Sequence, residues 1–482
     1  MYNIYDRLET KDKEIFTILY IGQIPQWGLD TIAYGVEWDD PSKGKNNGEL
    51  NNVKYFEPKV FNAGSFIKST NSKISHGRKS FTEVIKDNYL SVEYEEQNLK
   101  IGTKEVEEVG LDKINFNTFE SLTLDHDQIY KAGDDIDQFQ ETFEKMKYLD
   151  LSSNLFTDVH EVFKILNIFP NLEHLDLNHN RFNQGLNDST KFNSIVSLKL
   201  GSTFLSIQQI NRLILSFPSL QTLNLLGNCF RDEDITKLET QHLSLLDFSY
   251  NQLTSIPVLN LSALNLSHNQ IAEVNPQSII LYNALDLRNN KLSSWEEIDN
   301  LSTTTPNLEE LRINHNPVFD NMSIDDMTME LIGRFNGLTK LNGAVLSKNE
   351  IEDAELYFIS KVQSNSIKIR NQKRWNQLLS KYNKIEEVHV SPSSKPWINL
   401  QIKYLNEDVS IFSSMFLKST SIQRFKGLIS KKLQDLSILQ FKIFYYINEG
   451  TSYAKQFEIE NYLGTLDDYS LHDNQNIYIS LT

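Results

Sequence analysis

The chain has 482 residues, with 47 lysines and arginines against 64 aspartates and glutamates, a formal net charge of −17. That length is too great for one ordinary core and predicts about three domains. The acidic balance argues against a nucleic-acid binder, which needs a basic stripe against phosphates.

No apolar run reaches 18 residues, and Met1-Tyr-Asn-Ile-Tyr-Asp6 lacks the charged-then-apolar plan of a signal peptide. The single cysteine, Cys229, falls at a repeat position read as buried and rules out an intrachain disulfide. That fits a reducing compartment. The expectation is a soluble cytoplasmic protein with no membrane contact.

Residues 1–90 carry 12 acidic and 12 basic side chains. Short apolar runs at 14–21, 33–38, 53–56 and 64–67 are separated by Gly, Pro and Asn-rich turns, which predicts a small barrel of about four to six strands. Between two of them lies Asp39-Asp-Pro-Ser-Lys-Gly44-Lys45-Asn46-Asn47-Gly48. Two glycines bracketing Lys-Asn-Asn predict a tight loop offering free backbone N–H groups, one ammonium and two amides, a set suited to a carboxylate-rich peptide. The plainer reading is a hairpin turn with a solvated lysine. A phosphate-binding P-loop is excluded, because Asp39 stands where its first glycine belongs and Asn46 where Ser or Thr must follow the lysine.

Tyr34-Gly-Val-Glu-Trp38-Asp-Asp-Pro41, the Gly44–Gly48 loop, Tyr55-Phe56 and Gly64-Ser-Phe66-Ile67 together resemble a CAP-Gly domain. That family reads acidic C-terminal tails ending in an aromatic residue, such as the Glu-Glu-Tyr end of α-tubulin. The resemblance implies a tail-binding set of Gly44, Lys45, Asn46, Asn47, Gly48, Tyr34, Trp38 and Phe66. Lys45 and Asn46 would meet the terminal carboxylates, and Phe66 and Tyr34 would line the aromatic pocket. Three positions depart from the family: Asn47 replaces an aspartate, Ala33 a tryptophan, and the cysteine usual after Tyr-Phe is replaced near Pro58.

Phe81–Tyr89 is predicted as a short exit helix. Residues 91–145 carry 15 acidic and 5 basic side chains, and 91–120 is read as an acidic connector. Glu93-Tyr94-Glu95-Glu96 within it could imitate a tubulin tail, though a solvated connector is the simpler reading.

From Leu122 to Val318 one phrase recurs, stated in full at Leu172-Glu-His-Leu175-Asp-Leu177-Asn-His-Asn180-Arg-Phe182. Counted from Asn154, its asparagine position returns at 180, 203, 228, 251, 269, 290 and 316, with Thr203 the one substitution. This is the period and pattern of a leucine-rich repeat. Each Leu-x-Leu is a short strand that buries its leucines only when neighbours stack on it. The residues between the leucines (Asp150, Asp176, Lys199, Asn224, Asp247, Asn265, Asp286 and Arg312) are expected on the concave face. His179, His268 and His315 share one repeat position. Their spacing of four and two repeats, roughly 19 and 10 Å at ~4.8 Å per strand, is too wide for one metal ion. No metal, cofactor or catalytic constellation is expected.

Leu338–Leu346 with Glu350–Ile359 resembles the C-terminal cap of such arrays. Between 367 and 384 stand Lys368, Arg370, Lys373, Arg374, Lys381 and Lys384 with no acid, read as a solvated helical face or a basic contact for an acidic partner. Ser391-Pro-Ser-Ser-Lys-Pro396 is a linker. Beyond it, strands at 398–404, 409–412, 441–447 and 477–481 and a helix at 422–433 resemble the ubiquitin-like grasp. The sequence as written ends without Gly-Gly, so docking is expected rather than conjugation.

The fold class is therefore multidomain: a small all-β CAP-Gly barrel with its exit helix (1–90), the acidic connector (91–120), an α/β leucine-rich-repeat solenoid with its cap (121–360), a basic helix and linker (361–396), and an α+β ubiquitin-like grasp (397–482). That combination resembles the tubulin-folding cofactor E family. The resemblance implies a non-enzymatic, monomeric, cytoskeleton-associated chaperone. It would bind α-tubulin by tail and body and act with cofactors D and C, with B a further candidate, in assembling and dissociating the αβ dimer. The alternative is a cytoskeletal adaptor that tethers tubulin or microtubule ends through the CAP-Gly domain.

Overall fold

The computed structural model describes residues 2–28, 30–75, 77–90, 116–184, 189–382, 396–405, 410–433, 436–447, 449, 454–461, 464–469 and 471–481. The Glu93–Glu96 segment, Lys384 and most of the 391–396 linker lie outside them. The chain divides into two compact units, one comprising 1–327 and 334–346, the other 328–333 and 347–482. Among the described residues no helix is long and apolar enough to cross a membrane.

In the first unit the barrel sheet has the order β1 (Arg7–Glu9), β2 (Ile15–Gln23), β3 (Ile32–Trp38), β6 (Gly64–Lys68). The two-residue strands β4 (Glu49–Leu50) and β5 (Val53–Lys54) form a separate hairpin. Leu8, Phe16, Ile18, Tyr34, Val36 and Ile74 make the barrel core. The β2–β3 register slips between Ile18 and Tyr20. This bulge turns Tyr20 away from the face that Phe16 and Ile18 bury.

The predicted exit helix forms as α1 (Phe81–Ile85), opened by a capping box between Ser80 and Glu83. It does not lie against the barrel core. Phe81, fully buried, meets the rings of Phe143 and Phe169 at 6.3 and 6.1 Å, and those two stack at 4.6 Å. These rings cover the apolar end of the array, which the first coil would otherwise expose.

The array is an 11-stranded sheet whose repeat strands, Ser121–Thr123 through Lys340–Leu341, pair in parallel and in sequence order; a short antiparallel strand, Ala344–Val345, closes it. Its registry is the leucine column itself: Leu149, Leu175, Leu198, Leu223, Leu246, Leu264, Leu285 and Leu311 face one another across successive strands. The asparagine ladder also forms. Asn251 Nδ2 donates to Leu225 O of the preceding repeat (3.1 Å) and Phe248 O of its own (3.0 Å), while its Oδ1 accepts from Phe230 N. Thr203 makes no bond to the preceding repeat; its Oγ1 donates to Leu200 O of its own repeat at 2.8 Å and lies 3.5 Å from Asn228 Oδ1 of the next.

The residue before each ladder position takes a left-handed conformation: Ser153, His179, Ser202, Gly227, Tyr250, His268, Asn289 and His315 all have φ between 51° and 64°. Asn and His are among the residues that tolerate such a turn. The three histidines therefore have a backbone reason for their shared position. Cys229, read as buried, is only half-buried, because it follows the ladder asparagine at the same turn and is itself left-handed.

In the second unit, helices Lys348–Gln363 and Gln372–Lys381 pack through Phe358, Ile359, Trp375, Leu378 and Leu379. The basic stretch is thus amphipathic rather than a uniformly solvated face. Arg374 is buried against Glu355 at 2.7 Å, and Lys381 and Tyr382 reach the other oxygen of that carboxylate at 2.5 and 2.7 Å. The C-terminal sheet has the spatial order 410–417, 397–404, 475–481, 441–447, 455–458, with its central pair parallel. Helix Ile422–Lys432 buries Ile422, Phe425 and Ile429 against it. This is the grasp topology read from sequence, with one more strand (Lys455–Glu458) than was foreseen. Trp397 stacks edge-on with Tyr357 at 5.0 Å, joining the grasp to the preceding helix.

Candidate peptide-binding groove

The Gly44–Gly48 loop is held by its own backbone. Lys45 N and Asn46 N both donate to Gly64 O (2.7 and 3.0 Å), and Gly64 N returns a bond to Asn46 O at 2.9 Å. Gly48 N donates to Asn46 Oδ1 at 3.0 Å, and Asn47 Oδ1 accepts from Asn62 N. The free N–H groups expected of this loop are therefore mostly occupied. What it presents outward is the exposed Lys45 side chain, which makes no ion pair with a described residue. The residues expected to bind a carboxylate through the backbone instead stiffen the support for that ammonium.

Gly48 has a φ of 78°, and a Cβ there would strike the Phe56 carbonyl. A Cβ on Gly35 would strike the Phe56 ring and come within 2.9 Å of Tyr20 Cβ. Both glycines are required by the close approach of the Tyr55-Phe56 segment, not by flexibility.

Across three strands, Tyr20 pairs with Gly35 and Gly35 with Phe66, which places the two aromatic residues on one face above the missing side chain. There the rings form a chain of edge contacts: Tyr20–Tyr55 at 5.2 Å, Tyr55–Phe66 at 5.4 Å and Phe56–Phe66 at 5.3 Å. Tyr20, Tyr55 and Phe66 remain partly exposed, while Phe56 is buried beneath them. Lys68, next along β6, lies 5.7 Å over the Trp27 ring. The Tyr20, Tyr55 and Phe66 rings form a partly exposed aromatic surface, and the loop that carries Lys45 is bonded to Gly64 of the same strand as Phe66.

Tyr34 and Trp38 are not on that surface. They occupy the alternate positions of β3, so the pleat turns them to the opposite face. Tyr34 is 6% exposed in the barrel core, and Trp38 meets Phe16 edge-on at 5.2 Å. Burial raises the Tyr34 hydroxyl pKa, with Tyr2 and Asp6 adding to it. Of the residues read from sequence, the structure brings the Gly44–Gly48 loop against Gly64 and Phe56, beside Phe66, and sets Tyr34 and Trp38 on the opposite face of β3. Tyr20 went unread because Ile15–Ile21 shows no alternation, and only the bulge decides which face it takes.

On the array, the positions between the leucines have a local task. Asp150, Asp176, Asn224, Asp247, Asn265 and Asp286 each accept, through their side chains, the backbone N–H two residues on, at 2.8–3.0 Å. The acidic residues on this face are turn formers first.

The sequence profile of the CAP-Gly domain matches residues 4–72, and that of a leucine-rich repeat residues 171–193. The chain is 28% identical to Protein PAC2 of Saccharomyces cerevisiae, over 99% of this chain and 97% of that protein. It is 25% identical to tubulin-specific chaperone E of Xenopus laevis, over 97% of each, and 29% identical to that of Dictyostelium discoideum, over 73% of this chain and 69% of that one. With a CAP-Gly barrel, a leucine-rich array and a ubiquitin-like grasp in this order, the chain is similar along nearly its whole length to the tubulin-specific chaperones E.

Proposed function

We propose that this chain is a tubulin-folding cofactor that captures the acidic C-terminal tail of α-tubulin in the barrel groove and engages the body of the protein with its array. The observation that carries the reading is the groove itself, with exposed Lys45 and the Tyr20, Tyr55 and Phe66 edges side by side in a chain similar along its length to tubulin-specific chaperones E. Lys45 meets the terminal carboxylates. Tyr20, Tyr55 and Phe66 take the aromatic end, and Asn46, Asn47 and the bracketing glycines hold the loop in shape. Tyr34 and Trp38 contribute by bracing β3 from the core side.

Capture of the flexible tail raises the local concentration of the tubulin body near the array, so two weak contacts act as one stronger one. The ubiquitin-like grasp is a docking module, and cofactors D and C, with B, are the partners of the cycle. The chain works as a monomer, without catalysis, in the cytoplasm.

Size-exclusion chromatography with αβ-tubulin, intact or trimmed of its C-terminal tails, tests the reading. A complex, or loss of dimer, that depends on the tail supports it. Co-elution regardless of the tail moves recognition to the array. Preference for microtubules over soluble dimer would favour a cytoskeletal adaptor instead.

A further inference from the structure

The barrel and the first repeats share a buried charged junction. Arg7, fully buried in β1, donates from Nη1 and Nη2 to Asp39 (3.0 and 2.6 Å), from Nη2 to His179 O (2.8 Å) and from Nε to Asn154 O (3.3 Å). It thus reads the ladder turns of two successive repeats. The array answers with Arg181, 9% exposed, whose Nη2 lies 3.2 Å from Asp39 Oδ1 and whose guanidinium covers the Phe204 ring at 4.4 Å. Lys59 of the barrel donates to Phe204 O at 2.7 Å.

Asp39 stands between both arginines and begins the segment that runs into the Gly44–Gly48 loop. Burial alone would raise its carboxyl pKa, but Arg181 and Arg7 outweigh that and hold it below the usual range. Phe56 offers a second path. It packs on Phe66 of the groove and also lines a cavity of about 290 Å3 shared with Glu37, Lys59 and Arg181. A loop base whose carboxylate is held by both prongs of Arg7 and by Arg181 is not a hinge.

We propose that Arg181, an array residue, is a positioning residue for the barrel groove: it locks the groove at a set place relative to the array, so that tail and body are read by one rigid surface. This rests on the proposed tubulin reading. A rigid pair of sites avoids the ordering cost that two loosely linked domains meet on binding.

The test compares wild type with Arg181→Ala and Arg181→Lys in the full chain, against a free acidic peptide with an aromatic C-terminus and against αβ-tubulin dimer. Arg181→Ala is expected to keep peptide affinity within about twofold, since the groove is intact, while dimer affinity falls about tenfold or more. Arg181→Lys, which retains the charge, should recover part of the loss. Unchanged dimer affinity, or parallel loss of peptide and dimer, overturns the proposal. Should wild type bind neither partner, the tubulin reading fails, and amide hydrogen exchange still decides the junction. Faster exchange at 7–9 and 39–48 in Arg181→Ala supports the lock; unchanged exchange overturns it.

Discussion

Single side chains settle two questions in this molecule. Among the ladder positions traced from Asn154 to Asn316, Thr203 alone forms no bond to the preceding repeat, because a threonine hydroxyl is too short to span both carbonyls. Thr203→Asn is therefore expected to stabilise the first unit by about 1 kcal/mol, the net worth of one added buried hydrogen bond, read as a raised urea midpoint at unchanged slope. Gly35 is the counterpart in the groove. Gly35→Ala pushes a methyl into the Phe56 ring and Tyr20, and the aromatic edges above it must part. Peptide affinity should fall by about 1 kcal/mol, as expected for one disturbed aromatic pair, measured by fluorescence titration with the acidic peptide. An unaltered affinity would mean that the tail binds elsewhere.

Elements are held by what closes them. Helix α1 belongs to the barrel by sequence position and to the array by packing, and Phe81→Ala should destabilise the first unit by about 3–5 kcal/mol, measured by chemical denaturation. A loss well under that range would mean the array ends are covered by something else. In the second unit, the helix pair turns on Glu355. Burial would raise its pKa, but its bonds from Lys381, Tyr382 and Arg374 bring it below 4.5, its ordinary value. A carboxylate with a depressed folded pKa stabilises fully above its unfolded value and loses that contribution as pH falls through the folded one. Thermal stability of the second unit should thus decline as pH drops below 4.5, and Glu355→Gln should lower stability at neutral pH and flatten that decline.

The whole molecule comprises two compact units. Calorimetry is expected to resolve two unfolding transitions, with barrel and array melting together because Arg7, Arg181 and Asp39 join them. A separate early barrel transition in the wild type would contradict that coupling. The division also bears on function, since a groove and an array in one unit present a single surface to a partner.

The repeat array was legible because its information is periodic. A leucine column and a ladder position every 18–26 residues, asparagine at all but Thr203, leave one way to stack, and the structure places each where the spacing requires. The barrel, the grasp and the Lys-Asn-Asn loop were likewise readable from short-range pattern and family resemblance. Three things were not. Tyr20 reaches the groove only through a bulge in β2, while the pleat of β3 sends Tyr34 and Trp38 to the core. Arg374 and Lys381 counted as solvent charge until the helix facing them supplied Glu355. Arg7 and Arg181, 174 positions apart in the sequence, meet at Asp39 because the barrel docks on the first repeats. Sequence determines periodic burial and local turns, because those depend on neighbours along the chain. Which face a side chain takes at a bulge, and which distant charge it meets, is decided by tertiary packing alone.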